Sequence, residues 1–113
     1  VDRSCIFCKI IEKSVKADVV YEDAHVLAFR DLNPQAPVHV LIVPKQHISS
    51  AAMVKEDGMW GHLMGAVTLV ARSLGLEDNG YRLVINCGAQ AGQTIPHLHV
   101  HLLAGRSFRW PPG

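Results

Sequence analysis

The chain reads as an α+β domain: a five-stranded, mainly antiparallel sheet with one long and one short helix. Three observations predict it. Short aliphatic and β-branched runs recur along the 113 residues, bounded by Pro, Gly, Asn or Asp. Residues 57–74 repeat apolar side chains at steps of three and four, the period of a helix. The run His97-Leu98-His99-Val100-His101-Leu102-Leu103 alternates imidazoles with aliphatic residues, the period of a strand. The length suits a single domain spanning 1–113, large enough to bury most of its apolar surface without staples. No repeat, low-complexity stretch or linker divides it.

The elements follow in order. Ser4 is placed to cap a short helix over 5–12. Strands are expected over 17–22 and 25–30, with a tight turn at Asp23-Ala24. Residues 31–37 hold two prolines and an Asn, which cannot continue a ladder. Residues 38–43 are apolar on both faces except at His39, as in a buried central strand, and Pro44 stops them. Asp57 is the expected N-cap of the long helix and Gly75 its C′ residue. The stripe of Trp60, Leu63, Met64, Val67, Val70, Ala71 and Leu74 is core or subunit interface, and Gly58, Gly61 and Gly65 permit a close approach of another backbone. Asp78-Asn79-Gly80 is a turn. Residues 81–87 form the fourth strand, 88–96 a flexible loop and 97–103 the fifth. The ending Trp110-Pro111-Pro112-Gly113 cannot form regular structure.

Composition narrows the function. Net charge is +1 with no Lys/Arg run, which argues against a nucleic-acid groove built on counterion release but not against a single nucleotide. No apolar run approaches the roughly 18–20 residues of a membrane span. The three cysteines, Cys5, Cys8 and Cys87, are an odd count with no secretory signal pattern, so no disulfide framework and a reducing compartment are expected. The expected location is the cytoplasm, or an organelle if a targeting segment preceded Val1.

The alternating run carries the chemistry. On a strand it places three imidazoles on one face and Leu98, Val100 and Leu102 on the other. A solvated strand face usually draws on Thr, Lys, Glu and Ser. Three imidazoles form a proton-handling, nucleophilic or metal-binding surface. A neutral imidazole attacks phosphorus when one nitrogen's lone pair faces the substrate and the proton on the other is held. A His-x-His pair on a strand also suits zinc. Geometry allows either. The preceding loop, 86–94, holds Gly88 and Gly92, where the backbone can approach a ligand and successive N–H groups can form an anion nest. Asn86 and Thr94 add polar side chains beside the triad.

Together with Asp31-Leu32-Asn33-Pro34-Gln35-Ala36-Pro37-Val38-His39, Pro44-Lys45-Gln46-His47-Ile48 and the Trp-Pro-Pro-Gly ending, this run resembles the histidine-triad (HIT) family, and within it the Hint branch of nucleotide-binding proteins, over essentially the whole chain. The resemblance implies a HIT-like domain that dimerises into a ten-stranded sheet. It implies a purine nucleoside phosphoramidase that cleaves the P–N bond of adenosine or guanosine 5′-monophosphoramidates through a covalent nucleotidyl-histidine. By motif position His99 is the nucleophile, His101 hydrogen-bonds the phosphate, and His97 and His39 orient the others. Thr94 takes the place of a hydroxyl residue near the leaving group, usually Ser. Asp31 matches the acid on the ribose hydroxyls, with Leu32 beside it. Phe7, Ile10, Phe29 and Leu41 match the apolar purine slot, and Asn86 and Gly92 line the phosphate. No cofactor is needed for such catalysis. Pro96 departs from the pattern, where Tyr is common, as does Thr94, whose added methyl bears on bulky leaving groups.

Cys5-Ile6-Phe7-Cys8 is half a zinc site by spacing, with two buried inert thiols as the plain alternative. A redox role is weaker, because the strand-to-helix setting is missing. The resemblance supplies the other half: some family members complete such a pair with residues that correspond to His47 and His97, giving a structural zinc site of Cys5, Cys8, His47 and His97. His25 and His62 read as surface histidines, and Cys87 as a small apolar filler. Two further functions stand beside the phosphoramidase. One is a nucleotide-binding regulatory or scaffold protein with incidental hydrolysis. The other is a metal-dependent hydrolase with zinc on all three triad histidines, which leaves the Cys pair and His47 idle. The expected partners are a purine nucleotide and a second copy of the chain, with no nucleic acid and no membrane.

Overall fold

The structure, a computed structural model, describes residues 4–113. Its elements are α1 (Ile6–Ile11), β1 (Val19–Glu22), β2 (Val26–Arg30), β3 (Val38–Pro44), a 3₁₀ turn (Ala51–Met53), α2 (Asp57–Ser73), β4 (Arg82–Val84) and β5 (Val100–Ala104). The strands form one sheet in the order β1-β2-β3-β5-β4, antiparallel throughout. β3 is the central strand and is buried from His39 onward, as its apolar run requires.

Alternation divides the sheet into two apolar faces. Val26, Ala28, Val40, Ile42, Val100 and Leu102 meet Leu63, Ala66, Val67, Val70 and Ala71 of α2. Leu27, Phe29, Leu41 and Val43 point the other way and meet Cys5, Phe7, Cys8 and Ile10 around α1. Each fully buried Leu or Val contributes about 1.5–3 kcal/mol. Truncating Leu27, fully buried beneath α1, would cost about 2–5 kcal/mol. Among the described residues no helix is long and apolar enough to cross a membrane.

Several boundaries differ from the sequence reading. The N-cap of α1 is Cys5 rather than Ser4: its Sγ accepts from the Cys8 N–H at 3.4 Å. The N-cap position of α2 is Glu56, without a side-chain cap, and Asp57 is its first helical residue, where a negative charge still favours the helix dipole. The other end is as expected. Gly75, at φ +70, lets its own N–H reach Arg72 O and the Leu76 N–H reach Ala71 O, a Schellman stop. Among the described residues of one chain, a Cβ at Gly58, Gly61 or Gly65 would meet nothing within 4 Å, so these glycines make no close approach within the domain itself. The fourth strand is only Arg82–Val84, because pairing with β5 ends at Val84 opposite His101. The fifth begins at Val100, not His97. Ahead of it, Leu98 N–H donates to Ile48 O at 2.7 Å, so this stretch is tied to the segment after β3 instead of to a ladder.

Candidate functional site

Although His97 and His99 lie outside the ladder, the alternation survives. Leu98, Val100 and Leu102 belong to the α2-side core. His97 and His99 lie on the opposite side with their ring edges on Phe7, at centroid distances of 5.7 and 5.2 Å. His101 meets His99 edge-to-face at 5.0 Å and lies tilted against His39 at 5.2 Å.

The hydrogen bonds give each imidazole a different role. His99 Nδ1 lies 2.7 Å from His97 O, and a carbonyl only accepts, so Nδ1 carries the proton. Its lone pair is therefore on Nε2. The Gln35 backbone N–H donates to His39 Nδ1 at 3.0 Å, so His39 carries its proton on Nε2. That proton bridges 2.9 Å to His101 Nδ1, which leaves His101 with an outward Nε2–H. The site thus presents one nucleophilic lone pair and one donor from adjacent rings.

Charge state agrees with these tautomers. Burial pushes the His101 pKa down to about 4, with His99 and His39 adding to the effect and Asp31 opposing it. Burial also lowers His39, against the pull of Asp31, and lowers His97, against the Pro44 carbonyl. All three are neutral at pH 7. Asp31 Oδ2 lies 3.5 Å from His39 Nε2. Asp31, His39 and His101 bring three donor atoms together, yet the set suits a proton better than a cation. A metal on His39 Nε2 would force the ring proton onto Nδ1, against the Gln35 N–H.

The residues expected to form an apolar slot come together around one cavity. Phe7, Ile10, Phe29, Leu41, Asp31 and Leu32 line one cavity of about 220 Å³, together with Ile6, Val15, Lys16, Ala17, Arg30 and Ile95. Phe7 meets Phe29 edge-on at 5.5 Å and His99 at 5.2 Å, so one ring joins the cavity to the His99 imidazole. Asp31 Oδ1 accepts from the Asn33 N–H at 2.9 Å, which fixes the carboxylate at the slot's mouth. Leu32 is 96% exposed there.

The loop ahead of the triad is built differently from an open anion nest. Gly92 N–H donates to Ala89 O, Gln93 N–H to Gly88 O, and Gly88 N–H to Gln93 Oε1, so these three donors are used inside the loop. Gly88 and Gly92 supply the φ of +88 that this turn needs. Gln93 also anchors the loop by donating to Ser49 O and Ile95 O, at 2.8 and 3.0 Å. Thr94 and Gly92 are exposed and Asn86 is half-buried. Cys87 is exposed rather than a filler, and His25 and His62 stack on each other at 3.8 Å on the surface.

The second constellation assembles completely. Cys5 Sγ lies 3.3 Å from His97 Nδ1, and Cys8 Sγ lies 3.3 Å from His47 Nδ1 and 3.6 Å from His97 Nδ1. A tetrahedral zinc with ordinary bond lengths sets S···N at about 3.5 Å, so the donors are spaced for it. His97 Nε2 donates to Pro44 O at 2.9 Å, which turns the Nδ1 lone pair toward the thiols, the usual orienting contact for a ligating imidazole. Both nitrogens of His97 are thereby engaged. His97 holds the His99 ring with its carbonyl, not with its own ring. The three triad rings do not converge on one point, so zinc held by all three does not fit.

The HIT domain family model matches residues 12–108. The chain belongs to the HIT family. An uncharacterised HIT-like protein of Synechococcus elongatus is 53% identical over 110 residues, 96% of each chain. A 14 kDa zinc-binding protein of Zea mays is 49% identical over 116 residues, covering 99% of this chain and 90% of its own. Among solved structures, a HIT family hydrolase of Legionella pneumophila superposes with a TM-score of 0.93 at 44% identity, over 96% of this chain and 99% of that one. A histidine triad nucleotide-binding protein of Candida albicans superposes at 0.84 with 32% identity, over 95% and 82%. Cys5 and Cys8 lie ahead of the residues matched by the family model, whereas His47 and His97 lie within them.

The functional groups that sequence reasoning missed are mostly backbone: the His97 and Pro44 carbonyls and the Gln35 N–H. Every residue carries such groups, so no letter signals them. Gln93 is a side-chain omission, and nothing in its local pattern sets it apart from Gln90.

Proposed function

We propose that this HIT protein is a purine nucleoside phosphoramidase of the Hint branch. The observation that carries the reading is the His99 ring, whose Nδ1 proton is held by His97 O and whose Nε2 lone pair faces away from that bond. A binding or scaffold protein has no need of an oriented lone pair. The 220 Å³ apolar slot, with Asp31 at its mouth, fits a purine nucleoside, its base among Phe7, Ile10, Phe29 and Leu41 and its ribose hydroxyls on the carboxylate.

In the first step His99 Nε2 forms a bond to phosphorus and the P–N bond breaks. The departing nitrogen takes a proton from solvent water, on the side proposed for Thr94, and leaves as the amine. The His101 Nε2–H stabilises charge on a phosphoryl oxygen. It acts as a fixed donor and keeps its proton. Water then attacks phosphorus and returns its proton to solvent, the histidine–phosphorus bond breaks, and the nucleoside monophosphate leaves with the lone pair restored to His99. Two modest barriers replace one high one.

The Cys5, Cys8, His47 and His97 set is proposed to hold a structural zinc. Such an ion would bind the helix α1 to the segments around His47 and His97. All four ligand positions are protein groups, so no position is left for substrate. The chain is further proposed to dimerise through α2 and the edge strand β4 into a ten-stranded sheet. Leu69 on α2, Leu83 on β4 and Tyr81 just ahead of β4 are exposed apolar residues.

The test is turnover of adenosine 5′-phosphoramidate by the wild type and by His99→Ala. The variant should lose several orders of magnitude in rate while still binding nucleoside monophosphate. Retention of more than about a tenth of the rate, only about 1.4 kcal/mol of barrier, refutes His99 as the nucleophile.

A further inference from the structure

We propose that Arg106, just beyond β5 and remote from the reacting atoms, is a positioning residue that sets the tautomer of the His39–His101 pair. It deepens the phosphoramidase reading in that it rests on His101 as the phosphoryl donor. The tautomer itself does not depend on that reading.

The loop over 31–37 carries the Gln35 N–H that selects the His39 tautomer, and most of this loop is exposed and outside the ladder. The chain following β5 clamps it at two places. Arg106 donates to Gln35 O from both Nε and Nη2, at 3.3 and 3.1 Å. Gly105, at φ +94, lies so close to Pro37 that a Cβ there would come within 2.7 Å of the proline Cβ. The guanidinium is itself held. Nη1 donates to Ser107 O at 3.0 Å, and its plane lies 4.2 Å from the Phe108 ring. Gln35 is therefore fixed at its carbonyl by Arg106 while its N–H fixes His39.

The consequence follows from proton counting. With Gln35 N–H on His39 Nδ1, His39 donates from Nε2 and His101 keeps its proton on Nε2, facing the substrate. If release of its carbonyl lets Gln35 drift and its N–H, on the neighbouring Pro34–Gln35 peptide, leave the ring, His39 is free to carry its proton on Nδ1. His101 then donates from Nδ1 to His39 Nε2 and turns a lone pair toward the phosphoryl oxygens. A donor becomes an acceptor facing an anion, with no change in net charge. Arg106 thus governs the sign of the contact at His101 without touching the substrate.

The experiment compares the full chain with Arg106→Ala and Arg106→Lys, using ¹⁵N-labelled imidazoles and long-range ¹H–¹⁵N correlation. In the wild type, His39 should show a pyridine-like Nδ1 and a pyrrole-like Nε2, and His101 the same. In Arg106→Ala these shifts should move toward averaging, and kcat for the phosphoramidate should fall about tenfold while KM moves less than about twofold. Arg106→Lys should recover part of both, since an ammonium reaches one carbonyl without the planar fork. If Arg106→Ala does not fold, Phe108→Leu removes the shelf under the guanidinium and should shift the same nitrogens in the same direction by less. Unchanged His39 and His101 nitrogens in the folded variants overturn the proposal, whatever happens to the rate. If the wild type turns over no phosphoramidate, the proposed function falls, while the nitrogen shifts still decide the clamp.

Discussion

Removing metal from the Cys5, Cys8, His47 and His97 set should destabilise the protein far more than it slows it. These donors come from three places: the first turn of α1, the segment after β3 and the segment ahead of β5. Cys8 and His97 are 89 residues apart, so an ion there closes most of the chain into one loop. By mass action, an ion present at about 100 to 1,000 times its dissociation constant adds about 2.7 to 4.1 kcal/mol. With an unfolding entropy of about 2.1 cal/mol/K per residue, a chain of 113 residues loses about 11–17 °C in Tm when that is withdrawn. The measurement is calorimetry on protein of known zinc content, with and without chelator, beside the initial rate at 25 °C. The rate of still-folded protein should change by less than about threefold, because the His97 carbonyl holds His99 from the backbone. Metal analysis that finds no zinc after growth with zinc supplied, or a Tm indifferent to chelation, refutes the site. Immediate loss of activity without unfolding refutes its structural character.

Three other outcomes are expected. His101 titrates near 4 in the fold and near 6.5 in the unfolded chain, so its contribution is complete above about pH 6.5 and is lost as pH falls toward 4, where the unfolded state binds the proton first; urea midpoints from pH 7.5 to 4.5 should fall, and less steeply in His101→Asn. Gly105→Ala meets both a φ of +94 and the Pro37 ring, and should cost about 2 kcal/mol or more by urea unfolding. The proposed dimer should appear in sedimentation at micromolar concentration, and an active monomer there sinks it; deleting 110–113, where Trp110 is 81% exposed, should alter leaving-group preference more than Tm if the tail reaches a partner's site.

Much of the fold was legible because the core elements are dictated by local pattern. β3 reads as central from its apolar run, and α2 from its period and its Gly75 stop. The failures lie at ends. Residues 85–87 and 97–99 have strand-like composition, yet pairing needs a partner across the sheet, and the Leu98 N–H finds Ile48 O instead. Ser4 looks like a cap by type, but the thiol of Cys5 occupies that position. The site divides the same way. The triad, the slot and the Cys pair are side-chain features with a spacing, and the structure brings the named residues together. The Gly88 and Gly92 loop looked like an open nest, since glycine content reports backbone freedom without saying which N–H groups are already used.

Alternation alone makes the three triad histidines equivalent, and the fold makes them unequal through backbone groups. His97 faces Pro44 O with one nitrogen and two thiols with the other, so in the proposed reaction its ring takes no part and its carbonyl holds His99. His99 is fixed by that carbonyl and keeps one lone pair. His101 is fixed from the far side, through His39 and the Gln35 N–H, and keeps one proton. Since burial holds His39 and His101 neutral, the donor that His101 presents does not depend on a charge that pH or salt could remove near neutrality. Neutral imidazoles differ from one another only in which nitrogen bears the proton. A site made from three of them must therefore place a fixed donor or acceptor behind each ring, and here Gln35, His97 and Pro44 supply those groups. Any substitution that moves one of these three backbone positions should change the chemistry while leaving every histidine in place.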